Sequence, residues 1–390
     1  ADAEVGDEQK FEDPTVNRLR DRVCELLGKE DAVFLPSGTM GNQIAIRVHC
    51  RLGDEVIADR TAHIINAESG GTAANAGVMI RMVDGPYGVF TGEQVKEAIR
   101  DPNSRNAPRS RLVSIENTSN GGCGTVWPLA TMQGVTQVAR EAGLSLHMDG
   151  ARLCNAVVKS GTKASDYAAC VDSLWLDYTK GLGAPVGASL AGSKEFIHEA
   201  WRQKQMLGGS MRQSGIIAAA ALYALEHNWD RLAEDHDNAR HLSEGIANIK
   251  GLKIDVPRME TNLVFFEITK PGWTTAKLVE ACKERGVGMG TAAGNRIRAV
   301  THLDVSRAEI DTALKRLAET DKRLVQVVDG EAPETTVTVQ KIAGSESYDV
   351  RWHAEDDFGA SGVKHVEVGP APEKSDTYRA LFAEHRPADR

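Results

Sequence analysis

Apolar residues along this chain follow two interleaved rhythms. Short apolar runs (opening 31–50, ending near Ala58, opening 111–129, LSLHMD at 144–149, SLWLDYT at 173–179 and APVGASLAG at 184–192) read as buried strands, and the segments between them place apolar residues three and four apart, as amphipathic helices do. The first helix signal spans 13–29: Asp13 precedes Pro14, Val16, Leu19, Val23, Leu26 and Leu27 share one face, and Gly28 stops it. Residues 31–50 read strand, tight turn, helix, and 55–83 repeat the pattern, with His63 in a loop before the next helix. A polar helix and a Pro/Asn/Arg-rich loop fill 92–109, a strand enters a glycine-rich loop over 111–129, and 131–143 is a crossover helix. Helices are expected again over 193–206, 216–228 and 234–249. This repetition predicts an α/β fold with a mainly parallel sheet flanked by helices.

Near Gly251 the rhythm changes. LKIDV and TNLVFFEI read as strands, 274–286 as a helix, 295–304 as a strand and 306–324 as a helix, which together make a compact α+β unit. Beyond it, TTVTVQKI, YDVRWHAE and KHVEVGPA alternate with period two. The expected divisions are an N-terminal segment and helix (1–30), a large domain (31–248), a small α+β domain (249–325) and a β-rich tail (326–390).

Composition narrows the function. The chain has 390 residues, a net charge of −9 and a pI near 5.7, which argues against nucleic acid or an anionic membrane as a main partner. No apolar run is long enough to span a bilayer. The opening ADAEVGDEQK has neither the basic nor the apolar part of a signal peptide, and without an initiator Met it fits either a processed chain or a fragment. Six cysteines without CxxC spacing suit reduced, buried thiols and a cytoplasmic setting.

The candidate chemistry collects at strand ends. Gly38, Thr39, His63, Asp149, Arg152 and Lys180 all fall at or just after the C-terminal ends of predicted strands, where open α/β sheets bind ligands. Ser37, Gly38 and Thr39 open a helix, whose free amides suit an anion, although an ordinary helix cap reads the same way. Lys180 lies between a strand end and a glycine turn, outside any helical pattern. Burial lowers a lysine's pKa and makes its amine a nucleophile toward aldehydes. An acid one strand earlier could partner a pyridinium, so Lys180 with Asp149 is the pair that pyridoxal phosphate (PLP) requires. The plain alternative is an unrelated strand-end acid and surface lysine. Arg212, in a glycine turn, suits bidentate phosphate contact. Arg296 and Arg298 alternate along one strand and suit either a carboxylate or solvent. Cys123, with no basic partner evident, reads as structural. Asp237 and His241, without a third ligand, read as a solvated face, and no metal is expected.

The pieces FLPSGTMGNQ, SIENTSNGG, HMDGARLCNAV, TKGLGAPVGASLAG, GGSMRQSG, EDHDNA and VTHLDVS occur in this order, and together they resemble the low-specificity L-threonine aldolases of the beta-eliminating lyase superfamily over roughly residues 5–325. The resemblance implies a PLP fold-type I enzyme with a mostly parallel seven-stranded sheet, a small domain, and a homo-oligomer, dimer or tetramer, whose active sites lie at subunit interfaces. Lys180 matches the Schiff-base lysine and Asp149 the acid that keeps the pyridine nitrogen protonated. Arg152 matches a residue near the cofactor hydroxyl and substrate, Gly38 and Thr39 the phosphate cradle, and His63 the histidine stacked on the ring. Arg212 matches an arginine on the phosphate side, and Arg298 the one that takes the substrate carboxylate. The implied activity is retro-aldol cleavage of β-hydroxy-α-amino acids to glycine and an aldehyde, with His63 or water as the base.

The chain departs from the family pattern at several places. Ser119 stands where the family has a histidine on the substrate's hydroxyl side, Gln205 stands for a lysine, and Lys10 and Phe11 replace a tyrosine-containing opening. Another PLP reaction, such as elimination or racemisation, and a degenerate scaffold stay open as alternatives. In the tail, YDVRWHAEDDFGASGVKHVEV resembles a strand pair of bacterial immunoglobulin-like repeats, in a stretch shorter than the ~100 residues of a full sandwich.

Overall fold

The structure, a computed structural model, describes residues 3–326 and two strands at 334–341 and 348–355. Residues 1–325 and 326–390 form separate compact units. In chain order the first unit runs α1 (Pro14–Leu27), β1 (Asp31–Leu35), α2 (Gly38–His49), β2 (Glu55–Asp59), α3 (His63–Asn66), β3 (Met79–Val83), α4 (Gly92–Ala98), β4 (Ser110–Glu116), α5 (Leu129–Glu141) and β5 (Ser145–Gly150). It continues with α6 (Leu153–Ser160), α7 (Ala164–Ala169), β6 (Ser173–Asp177), β7 (Ala188–Gly192), α8 (Lys194–Met206), α9 (Gly215–His227) and α10 (Leu232–Ala247). Then come β8 (Leu252–Lys253), β9 (Leu263–Ile268), α11 (Thr275–Lys283), β10 (Gly290–Ala292), β11 (Arg296–Val300) and α12 (Arg307–Gln326).

The first seven strands make one sheet in the order β1-β7-β6-β5-β4-β2-β3. Neighbours from β3 through β6 are parallel, and β7 runs antiparallel to both β6 and β1. The strands β1, β2, β4, β5 and β6 therefore all point their C-terminal ends the same way, toward one edge of the sheet.

Period two along each strand divides the side chains between two faces. Phe34, Ile57, Val113, Leu146 and Leu174 point into one core with α1, α5, α7 and α9. Val33, Leu35, Trp175 and Leu190 point into another, against Ile44 and Ala45 of α2 and Phe196 and Ile197 of α8. Every residue of β2 and β6 is buried, as expected of strands covered on both faces. A fully buried leucine such as Leu146 contributes about 1.5–3 kcal/mol to this packing.

A second, antiparallel sheet has four strands in the order β10-β11-β9-β8. It packs Phe266 and Ile297 against Leu278, Ile310 and Leu317. Several strand expectations prove too long. LKIDV pairs only over Leu252–Lys253, because Pro257 lacks the amide a ladder needs and Val256–Arg258 turns as a 3₁₀ helix. APVGASLAG pairs only over Ala188–Gly192. The 295–304 strand ends at Val300; the Thr301 amide still bonds the Asn262 carbonyl, but its carbonyl accepts from the Asn262 side chain and its hydroxyl donates to the Asp235 carbonyl.

In the second unit, β12 (Glu334–Lys341) and β13 (Tyr348–Glu355) form an antiparallel pair, as the alternation in TTVTVQKI and YDVRWHAE predicts. The third expected strand, KHVEVGPA, lies outside the described residues, so the likeness to an immunoglobulin fold is not tested.

Candidate active site

Four strand ends supply the site. Register pairing sets Glu116 of β4 beside Asp149 of β5. Asp177 closes β6, with Lys180 three residues on, and His63 opens α3 after β2.

Asp149 is 2% exposed. Its Oδ2 accepts from Asn42 Nδ2 at 2.8 Å and its Oδ1 from the Ala151 amide at 3.0 Å. Burial raises its pKa, while the Asn42 amide and the Lys180 charge oppose that rise. Glu116 accepts the His63 amide and the Asn120 amide, each at 2.7 Å. One carboxylate thus fastens the turn that carries His63 and the loop that carries Asn120. Burial, and then the neighbouring Asp149, push the Glu116 carboxyl up to about 7.

That shift has a measurable consequence. Folding favours protonated Glu116, so its stabilising contribution is complete below pH 4.5 and is lost as the pH rises toward about 7. Thermal melts of the ligand-free protein should show stability falling across this window relative to Glu116→Gln, which has no carboxyl there. Parallel pH profiles for the two proteins would mean that Glu116 is ionised throughout.

His63 Nδ1 meets Glu68 Oε1 at 2.9 Å, and that hydrogen bond raises the imidazole pKa. Glu68 is buried and also accepts from Asn42 at 2.7 Å and from Gln43 at 2.5 Å. Ligand atoms of His63, Glu68 and Asp149 lie within 4.8 Å of one another. They are already joined by hydrogen bonds among themselves and to Asn42.

Lys180 Nζ lies 2.6 Å from Asp177 Oδ2 and 5.3 Å from the centre of the Trp175 ring. Asp177 Oδ1 accepts the amides of Thr179 and Lys180, which fixes the turn after β6. Gly183 closes this turn at φ 72°, in the left-handed region open to glycine. The Lys180 carbonyl accepts from His302 Nε2 at 2.9 Å.

Arg152, at the cap of α6, is 8% exposed, and burial and the nearby Arg298 lower its pKa. Its Nε is buried without a hydrogen-bond partner among the described residues. Arg298 on β11 donates to Asn120 Oδ1 at 3.0 Å, so the antiparallel sheet reaches the site across the glycine-rich loop. Thr261 donating to the Gly124 carbonyl (3.0 Å) and the Val126 amide donating to Glu260 (3.0 Å) hold the same contact.

The structure gives several sequence-expected residues an unforeseen setting. A Cβ on Gly38 would fall 2.1 Å from the Trp175 ring, so this glycine is needed for the packing of α2 on β6 as well as for an open helix start. Ser37 caps that helix through the Met40 amide at 3.2 Å, and Thr39 is exposed. Ser119 is buried, accepts the Gly122 amide at 3.2 Å, and lies so close under Gly88 that a Cβ there would be 2.0 Å from its oxygen.

Arg212 pairs with Asp7, and its side chain is 61% exposed. The turn before it abuts α2, since a Cβ on Gly209 would lie 2.3 Å from the Met40 sulfur. Cys123, read from sequence as lacking a basic neighbour, has Arg296 Nη1 3.6 Å from its sulfur, because β11 folds back over the glycine-rich loop. Arg296 and Arg298 thus serve different partners. His241 pairs with Asp311 at 2.6 Å, a surface contact between α10 and α12.

Sequence reading gave no site role to Glu116, Asp177, Asn120 or Asn42, and took Glu68, with Gly70–Gly71, as closing a helix start. Glu116 and Asp177 carry a signal, each ending an apolar run as Asp149 does. Asn42 and Glu68 carry none, since their meeting depends on how α2 crosses the 67–71 loop.

Comparison with known proteins shows the family. Residues 1–270 match the beta-eliminating lyase family. The chain is 40% identical over 309 residues to a low specificity L-threonine aldolase of Escherichia coli, covering 79% of this chain and 90% of that one. It is 38% identical over 316 residues to low-specificity L-threonine aldolase 1 of Arabidopsis thaliana, covering 80% and 88%. A solved threonine aldolase from Leishmania major shares the fold, with a TM-score of 0.68, 22% identity, and coverage of 80% and 90%. The chain therefore belongs to the low-specificity L-threonine aldolase family, within the beta-eliminating lyases.

Proposed function

We propose that this protein cleaves β-hydroxy-α-amino acids, L-threonine and its bulkier analogues among them, to glycine and an aldehyde, using pyridoxal phosphate held by Lys180. The observation that carries the reading is the placement of Lys180 and the buried Asp149 on neighbouring strand ends, with Arg152 beside them. The residues present fit the cofactor. Asp149 is a buried carboxylate with room in its chemistry for a cation, and Arg152 Nε is buried without a partner among the described residues. The first-turn amides of Gly38 and Thr39 are among those a helix leaves unpaired, which suits a phosphate. Lys180 would hold the group covalently, Asp149 its pyridine nitrogen, His63 its ring face, and Arg212 the phosphate side. When bound, the cofactor supplies an electron sink for the bond that breaks at Cα.

The chain's own residues supply the remaining steps. Arg298, braced on Asn120, binds the substrate carboxylate, with Arg152 adjacent. Asp177 Oδ2, 2.6 Å from Nζ, orients the Lys180 amine. His63, with Nδ1 tied to Glu68, presents Nε2 to accept the β-hydroxyl proton. Ser119 shapes the loop that carries Asn120 on the substrate's hydroxyl side. A homo-oligomer and a cytoplasmic setting accompany this reading; sedimentation of the purified protein tests the first. Across the described residues no helix is long and apolar enough to cross a membrane.

The test is product analysis over a panel of β-hydroxy-α-amino acids. Equal amounts of glycine and aldehyde are expected. Release of ammonia and a 2-oxo acid, or inversion at Cα without cleavage, would assign a different reaction to the same residues.

A further inference from the structure

Asn42 is fully buried in α2, and all its hydrogen-bonding capacity is used. Its Nδ2 donates to Glu68 Oε1 at 2.7 Å and to Asp149 Oδ2 at 2.8 Å. Its Oδ1 faces Trp175 Nε1 at 2.7 Å and His147 Nε2 at 3.2 Å. An indole N–H can only donate, so Trp175 determines which side of the amide is oxygen. The NH₂ must then face the two carboxylates. His147 Nε2 must also donate, which leaves its Nδ1 to accept from Ser173 Oγ at 2.9 Å. Ser173 in turn must accept from His49 Nε2 at 2.7 Å. Every hydrogen in the chain His49–Ser173–His147–Asn42 therefore points toward Asp149. Burial holds His147 and His49 in the neutral form this requires, moving their pKa values down to about 3 and about 4.

We propose that Asn42 is a positioning residue that keeps the Asp149 carboxylate charged and correctly turned, and that Trp175 and His147 fix the direction in which the Asn42 amide faces. The inference rests on reading Asp149 as the acid partner of the pyridine nitrogen. Other groups act on Asp149 as well: Lys180 and His63 favour its charged form, whereas burial and the adjacent Glu116 oppose it. Donors that favour the anion are needed because a carboxylate in this position otherwise takes up a proton. Without the Asn42 NH₂, the Ala151 amide is the remaining hydrogen bond to Asp149 among those of the described residues. Asp149 would then hold its proton at higher pH and give less support to a protonated ring nitrogen.

The experiment follows the ¹⁵N chemical shift of the pyridine nitrogen in holoenzyme reconstituted with ¹⁵N-labelled cofactor, from about pH 6 to about pH 9. Wild type should stay protonated. In Asn42→Leu, which keeps the size and removes the donor without adding charge, the deprotonation midpoint should fall by at least about one pH unit, with about tenfold weaker cofactor retention. Trp175→Phe, which frees the amide to turn and shortens the ring under Gly38, should move the midpoint in the same direction by a smaller amount and carries the test if Asn42→Leu does not fold. Asp149→Asn serves as the reference. Midpoints unchanged in both variants, with Asp149→Asn shifted, would overturn the role of Asn42 alone. An unshifted Asp149→Asn would overturn the acid-partner reading and this proposal with it.

Discussion

Lys180→Ala is expected to lose glycine-forming activity by at least about a thousandfold, equivalent to about 4 kcal/mol of barrier. The lysine has one position from which it can work. Its turn is fixed by the Thr179 and Lys180 amides on Asp177, and its amine lies 2.6 Å from the same carboxylate. On the proposed reading, removing it takes away the covalent hold on the cofactor. Borohydride treatment of wild type, followed by peptide mass analysis, should place the cofactor mass on Lys180. The fold should survive, since Lys180 is half-buried and contributes little to the core. A substituted protein that still cleaves substrate at a tenth of the normal rate, or that takes up the cofactor mass at another lysine, would end the assignment.

Glu8→Ala is expected to destabilise the protein by about 3–5 kcal/mol, read as a lowered urea midpoint. Glu8 and Lys204 are fully buried and meet at 2.7 Å, and the lysine also lies 4.3 Å from the Trp201 ring. The same carboxylate accepts the Met211 amide at 2.6 Å and the Ser214 hydroxyl at 3.0 Å. Truncating it leaves an ammonium in the interior with no counter-charge, whereas removing both partners does not. Glu8→Ala with Lys204→Met should therefore recover most of the loss. A single-variant loss under about 1 kcal/mol would put the pair in water rather than in the interior. The effect should extend to the cofactor, because Glu8 and Asp7 hold the 208–215 turn that carries Arg212 and abuts α2.

Much of the sheet was legible because its strands obey one rule. Buried on both faces, they appear as short apolar runs, and an acid or glycine at the end of such a run marks the ligand edge. Asp149 and Lys180 were singled out on that ground, His63 by its place at a strand-to-helix crossing and Arg298 by its alternation along a strand. The bracket around Asp149 was not readable. Asn42 and Glu68 are 26 residues apart and Asn42 and Asp149 are 107 apart, and no local pattern announces such meetings. Trp175 read simply as one more apolar residue in SLWLDYT. Its indole N–H, and the demand its ring makes on Gly38, appear only once α2 is laid across β6. The overlong readings at 252–256 and 295–304 have a local cause: the apolar pattern continues, while Pro257 lacks an amide and the Thr301 carbonyl accepts from the Asn262 side chain.

The hydrogen bond from His302 to the Lys180 carbonyl ties the end of the antiparallel sheet to the turn after β6. His302 follows β11 with Thr301 between them, and β11 carries Arg298. One short stretch of chain thus carries the Arg298 guanidinium and holds the peptide of Lys180, so a substitution that shifts β11 is expected to displace the two together.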